Sequence, residues 1–211
     1  MKIALVGATG KIGRHIARSA LARGHAVTAV VRSDAHLPAE LEGAHITVAA
    51  LDDSNALAAA IRGHDVLASA FGPAPGDLAA LAATAKALIA AARKVGIKRL
   101  IVVGGAGSLE AAPGLQLLDT PDFPDAYKPY AIAHRDALSV YRSASDLDWT
   151  FFAPAAEIGP GGKRGGYRTQ ATRLLVNAAG HSEIHYPDYA DAFVDEIEQP
   201  KYIRQVATAA Y

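Results

Sequence analysis

The chain contains no cysteine, so disulfide staples, thiolate nucleophiles and zinc–thiolate sites are excluded at the outset. It also lacks a surplus of either charge, because 21 Lys and Arg residues balance 21 Asp and Glu residues. Binding nucleic acid through its phosphates calls for a basic excess, so no nucleic-acid partner is expected. Long hydrophobic runs are missing too. None reaches the ~18 apolar residues of a membrane span, and Met1–Val6 meets glycine before completing the ~7–15 apolar residues of a secretory signal. These absences predict a cytoplasmic protein with no membrane partner, and no feature specifies an oligomer.

What is present is core-forming. Of 211 residues, 51% are hydrophobic and 20% charged, enough to build a sizeable core, although alanine inflates the apolar share. Short β-rich runs alternate with Ala-rich helical stretches. Strands are expected at Lys2–Val6, Ala26–Val31, His45–Ala49, Asp65–Ser69, Arg99–Val103 and Trp149–Ala153. Helices are expected at Lys11–Leu21, Ser54–Ile61 and Asp77–Val95, and from Lys128–Pro129 to about Ser145. Apolar runs such as Ile3–Val6 and Leu100–Val103 suit strands covered on both faces. The alternation predicts a doubly wound α/β fold with a parallel sheet. One domain would span 1–211, with 154–211 as a small substrate-side cap holding a strand at Glu183–His185, a helix at Tyr189–Glu198 and a last strand at Tyr202–Ala207. Gly104–Pro129 and Pro154–Gly166, rich in Gly and Pro, are expected to be structured binding loops.

The first strand runs directly into Gly7-Ala8-Thr9-Gly10-Lys11-Ile12-Gly13, and a helical pattern follows. Glycines in a strand–turn–helix context allow a tight turn and close backbone approach, while the helix start offers N–H groups and a positive dipole to a pyrophosphate. Gly7, Thr9, Gly10, Lys11, Ile12 and Gly13 are therefore placed around a dinucleotide. No Gly-Lys pair is followed by Ser or Thr, which rejects a Walker loop. Arg32 ends the second strand where an Asp or Glu would bind the ribose hydroxyls of NAD. Its planar fork suits a 2′-phosphate, so NADP is the expected cofactor, with NAD left open. Later strand ends supply Leu51 and Asp52 beside the adenine, Ala70, Phe71 and Gly72 along the ribose, and Gly104, Gly105 and Ala106 toward the nicotinamide. Asp53, next to Ser54, fits a helix cap better than Asp52 does.

These residues resemble the short-chain dehydrogenase/reductase superfamily in its atypical NAD(P)H-binding branch. More narrowly, the chain looks like the NADH-flavin reductase group, relatives of biliverdin/flavin reductases and NmrA-like proteins. The matching pieces are Gly7–Gly13, Gly104–Leu109, Leu147–Thr150 followed by Pro154, Gly165–Tyr167 and Ser182–Ala190. The resemblance implies a Rossmann-type fold, a nicotinamide coenzyme, hydride transfer to an acceptor, and Pro154 at the nicotinamide end. Ordinary superfamily members carry a Tyr-x-x-x-Lys pair on the helix after the long loop. Here that register reads Tyr130-Ala131-Ile132-Ala133-His134, so alcohol–ketone chemistry is placed in doubt.

Reduction of a flavin or similar planar acceptor needs no such pair. Tyr130 and His134 remain candidate proton donors, and Ser108 a candidate hydrogen-bond donor to substrate or carboxamide. The rival readings are a non-catalytic NADP sensor of NmrA-like type and an epimerase of the extended branch. His181 and His185 lack a third ligand, so no metal site is expected. Lys163-Arg164 reads as a surface loop, and Asp188, Asp191, Asp195, Glu196 and Glu198 as a solvated helix face.

Overall fold

Side chains alternate across a strand, so an apolar run buried on both sides must split its residues between two cores. A computed structural model, describing residues 1–211, shows that division strand by strand. In β1 (Lys2–Val6), Ile3 and Leu5 join the core beneath α1 (Lys11–Ala22), while Ala4 and Val6 join the opposite one. β2 (Ala26–Val31), β3 (His45–Val48), α2 (Ser54–Ile61), β4 (Val66–Ser69), α3 (Ala80–Val95) and β5 (Arg99–Val103) complete the first half. A hairpin of β6 (Glu110–Ala112) and β7 (Leu115–Gln116) precedes α4 (Lys128–Arg142) and β8 (Asp148–Ala153). There follow β9 (Glu157–Gly159), β10 (Arg168–Ala171), β11 (Glu183–His185), α5 (Tyr186–Glu198) and β12 (Gln205–Ala210).

The main sheet has the order β3-β2-β1-β4-β5-β8-β12-β10. Every neighbouring pair is parallel except β10 with β12. The chain order reverses between β1 and β4, which creates the crevice where such sheets bind ligands. α1 and α5 cover one face, and α2, α3 and α4 the other. The Rossmann-type, mostly parallel architecture expected from the sequence is present.

Several boundaries differ from expectation. α3 starts at Ala80 because Asp77–Ala79 form a turn. The last strand runs to Ala210, and α5 begins three residues earlier than expected, with Pro187 in its first turn where a missing N–H costs nothing. The polar sequence Arg-Thr-Gln-Ala of β10 has no apolar run to announce it, yet β10 forms the antiparallel edge of the sheet. Residues 154–211 are thus more than a cap. β10 and β12 extend the main sheet, and β9 and β11 pair beside the crevice.

Candidate functional site

Gly7 sits at φ +75°, and a Cβ there would lie 2.6 Å from the carbonyl of Ala70. A Cβ on Gly13 would lie 2.1 Å from the Gly7 carbonyl oxygen. The chain's own packing therefore requires both residues to be glycine. Gly10 is different. Its nearest neighbour would be 3.3 Å away, and it is exposed at the start of α1. No side chain caps this helix, and its first turn holds no acidic residue. The turn closes on itself through Gly10 N–H to Gly7 O (3.1 Å), while Arg14 donates to the Thr9 and Gly10 carbonyls. The first N–H groups of α1 lack intrahelical acceptors and face outward with the positive dipole end. That is a cradle for an anion.

The cradle opens into a cleft of about 690 Å³ along the carboxyl ends of the strands. Gly7, Thr9, Gly10, Lys11 and Ile12 form its floor at one end, with Arg32 and Leu51 on one wall. Arg32 is exposed there and has no hydrogen bond or ion pair within the chain. Ala70, Phe71 and Gly72 follow, and Gly104, His134, Ile158 and Tyr186 close the far end. Gly13 supports the turn from behind. Asp52 is exposed and does not line the cleft, and Asp53 caps α2 by accepting from Asn55 N–H and Ala56 N–H.

Gly105, Ala106 and Pro154 also lie outside the cleft lining. The glycines after β5 answer to side chains rather than to a ligand: a Cβ on Gly104 would meet the Phe151 ring at 2.2 Å, and one on Gly105 the His134 ring at 2.8 Å. Pro154 is buried, and its carbonyl accepts from Thr208 Oγ1.

The three candidate chemical residues separate. His134 alone reaches the cleft. Its ring packs edge-on to Phe151 and against Gly105, and burial pushes its pKa down to about 4, so it is neutral near pH 7. Tyr130, one turn earlier, is 43% exposed and lies off the cleft. Ser108 is buried against a different cavity. The expected Tyr130–His134 pair is therefore split, and the tyrosine that does line the cleft is Tyr186, whose ring stacks on His15.

Residues 7–200 match the family described as NAD(P)H-binding. The chain belongs to the NAD(P)H-binding family. Three solved structures are similar along its whole length. A Burkholderia pseudomallei protein named "putative exported protein" shares 54% identity, covers 100% of both chains and superposes with a TM-score of 0.93. A Streptococcus pneumoniae TIGR4 protein named "putative NADH-flavin reductase" shares 34% identity, over 100% of this chain and 99% of that one, at TM-score 0.88. A Bacteroides thetaiotaomicron protein named "putative epimerase" shares 35% identity, over 100% and 96%, at TM-score 0.89. No helix of the chain is long and apolar enough to cross a membrane.

The residues present fit the family's coenzyme. The open start of α1 and the close-packed Gly7 and Gly13 match a diphosphate, and the apolar far end matches a planar ring. Ile158 reaches that end through the β9–β11 pairing, which no local sequence signal announced, and Tyr186, within the Ser182–Ala190 stretch but not singled out there, reaches it as the first residue of α5. Three of the five carboxylates of α5 overturn their reading as a solvated face, while Asp195 and Glu198 stay at the surface, paired with Arg23. Asp188, Asp191 and Glu196 are buried, for Asp188 bonds the Arg164 and Gly165 N–H groups and the Tyr211 hydroxyl, and Asp191 bonds Ser19 and Lys163. These contacts also tie down the 163–166 loop, with Arg164 stacked on the Tyr211 ring. A cleft of about 350 Å³ beside α5 is lined by Asp195, Glu196 and Glu198, all already paired inside the chain.

Proposed function

We propose that the protein is an NADPH-dependent reductase that delivers hydride to a flavin or similar planar acceptor. The observation that carries this reading is the far end of the cleft, which Phe71, Ile158, Tyr186 and a neutral His134 line while Tyr130 of the expected pair stands outside it. The start of α1 would hold the diphosphate. Arg32 would meet the 2′-phosphate with its unpaired guanidinium, while Leu51 would bound the adenine side. The bound coenzyme supplies the hydride. The chain's part is to stack acceptor against ring and exclude water, which needs apolar walls and order rather than a proton relay.

His134, uncharged, can offer one N–H to a carbonyl of the acceptor or carboxamide, while Phe151 and Gly105 fix its ring. To test the reading, purified protein is mixed with NADPH and excess FMN or riboflavin, and nicotinamide absorbance is followed. Turnover with a flavin supports the proposal. NADPH binding without turnover across flavins and quinones contradicts it and favours a coenzyme-sensing role.

A further inference from the structure

A second cavity, of about 210 Å³, lies between the end of α4, the β6–β7 hairpin and the start of β12, and shares no lining residue with the coenzyme cleft. Two of its residues, Ser108 and Trp149, are each only 4% exposed, and the Ser108 Oγ and Trp149 Nε1 have no hydrogen-bond partner. An indole N–H can only donate, and no acceptor of the chain meets this one. Buried polar groups in native proteins are nearly always satisfied, and two orphans on one cavity require an explanation.

The surroundings are rich in donors. Arg142 is exposed on the rim and makes no hydrogen bond or ion pair within the chain, and Arg204 spends one nitrogen on the Ser145 carbonyl. Glu110 is the only carboxylate in the lining. The backbone is unusual at the same place. The chain has three non-glycine residues at positive φ, and two of them, Thr172 (φ 65°) and Arg204 (φ 56°), line this cavity. A β-branched residue at positive φ is a strained conformation, and such strain clusters at ligand sites. It is held here by Thr172 N–H to Val206 O and Arg204 N–H to Trp149 O.

We propose that this cavity binds a small oxyanion-bearing molecule, its carboxylate or phosphate oxygens accepting from Trp149 Nε1–H, Ser108 Oγ–H and the Arg142 and Arg204 guanidinium groups. The cavity volume suits a ligand of a few heavy atoms rather than a nucleotide. The site stands apart from the proposed coenzyme function and does not depend on it.

Trp149 is the single tryptophan of the chain, so its indole N–H resonance and fluorescence report on this cavity alone. The full-length protein is titrated with inorganic phosphate in one arm and succinate in the other, at constant ionic strength with chloride as control. The expected result is a saturable shift of the indole resonance with at least one probe, weakened at least tenfold in Arg142→Gln. Response to one probe and not the other identifies the oxyanion class. Because Arg142 lies on the rim, the variant should fold, and an unchanged amide spectrum elsewhere verifies this. No saturable shift with either probe, or a shift that survives Arg142→Gln, overturns the proposal and leaves the two polar groups to trapped water only.

Discussion

Helices α1 and α5 lie side by side on one face of the sheet, joined by Ser19–Asp191, Arg23–Asp195 and Arg23–Glu198 contacts. Both begin at the edge of the crevice, yet their N-termini are used in opposite ways. α1 has no acidic residue in its first turn and no capping side chain, so its positive end is free for a ligand. α5 carries Asp188 in its first turn, and that carboxylate is spent inside the protein. Burial alone would raise the pKa of Asp188, but the Arg164 and Gly165 N–H groups and the Tyr211 hydroxyl hold it below the ordinary carboxylate value. One helix start is left open to an external anion, and its neighbour has an internal one that anchors the loop beside the site.

The comparison breaks most severely at Glu196. This side chain, 2% exposed, pairs with Arg99 at 2.9 Å and accepts from Thr150 Oγ1 and the Lys201 and Tyr202 N–H groups, knitting α5 to β5 and β8. Glu196→Ala leaves the Arg99 guanidinium buried without its counter-charge. Chemical unfolding should register a loss of about 3–5 kcal/mol, with the coenzyme affinity of the remaining folded protein little changed.

The glycine turn of α1 should respond in a graded way. Gly13→Ala drives a methyl into the Gly7 carbonyl and should cost about 2–3 kcal/mol of stability, together with most coenzyme affinity. Gly10→Ala meets only a 3.3 Å contact, so it should fold normally, at a cost below about 1 kcal/mol, while weakening coenzyme binding. Equal stability losses in the two variants would contradict the division between packing glycines and an approach glycine. Next comes Arg32→Ala, for which calorimetry should show NADPH bound about tenfold or more weakly and NADH unchanged, as expected for loss of a charge-assisted bond. Parallel losses for both coenzymes would remove Arg32 from the 2′-phosphate.

The last effect is a pH dependence, absent at neutral pH. His134 is held neutral, with a folded pKa near 4 against an ordinary 6.5. The unfolded chain therefore binds the extra proton first, so the stability contributed by the buried neutral ring is complete above pH 6.5 and is lost progressively as pH falls toward 4. Unfolding curves of His134→Phe should lose part of this slope between those limits. An unchanged slope would mean that His134 titrates normally.

The contrast between the two helices also shows what the sequence could reveal. The β1–α1–β2 unit was legible because its signals are local: apolar runs, a glycine turn, a helix behind it, and an arginine at the next strand end. Arg99, Ser19 and Arg23 lie far in sequence from the carboxylates they meet on α5, so charge pattern alone read that helix as solvated. β10 was illegible for a related reason, since an edge strand of polar residues is specified by its neighbour β12. Ser108 follows Gly104–Gly107 in sequence, but the short turn at Ala106–Ser108 carries it away from the cleft and toward the second cavity.

The most direct test is calorimetric titration of the intact protein with NADPH and then NADH. The account predicts one site per chain, with NADPH bound the more tightly and its binding weakened by Gly10→Ala without loss of fold. Absence of any heat or saturable signal from either coenzyme, oxidised or reduced, would contradict the assignment of the open α1 terminus as a diphosphate cradle.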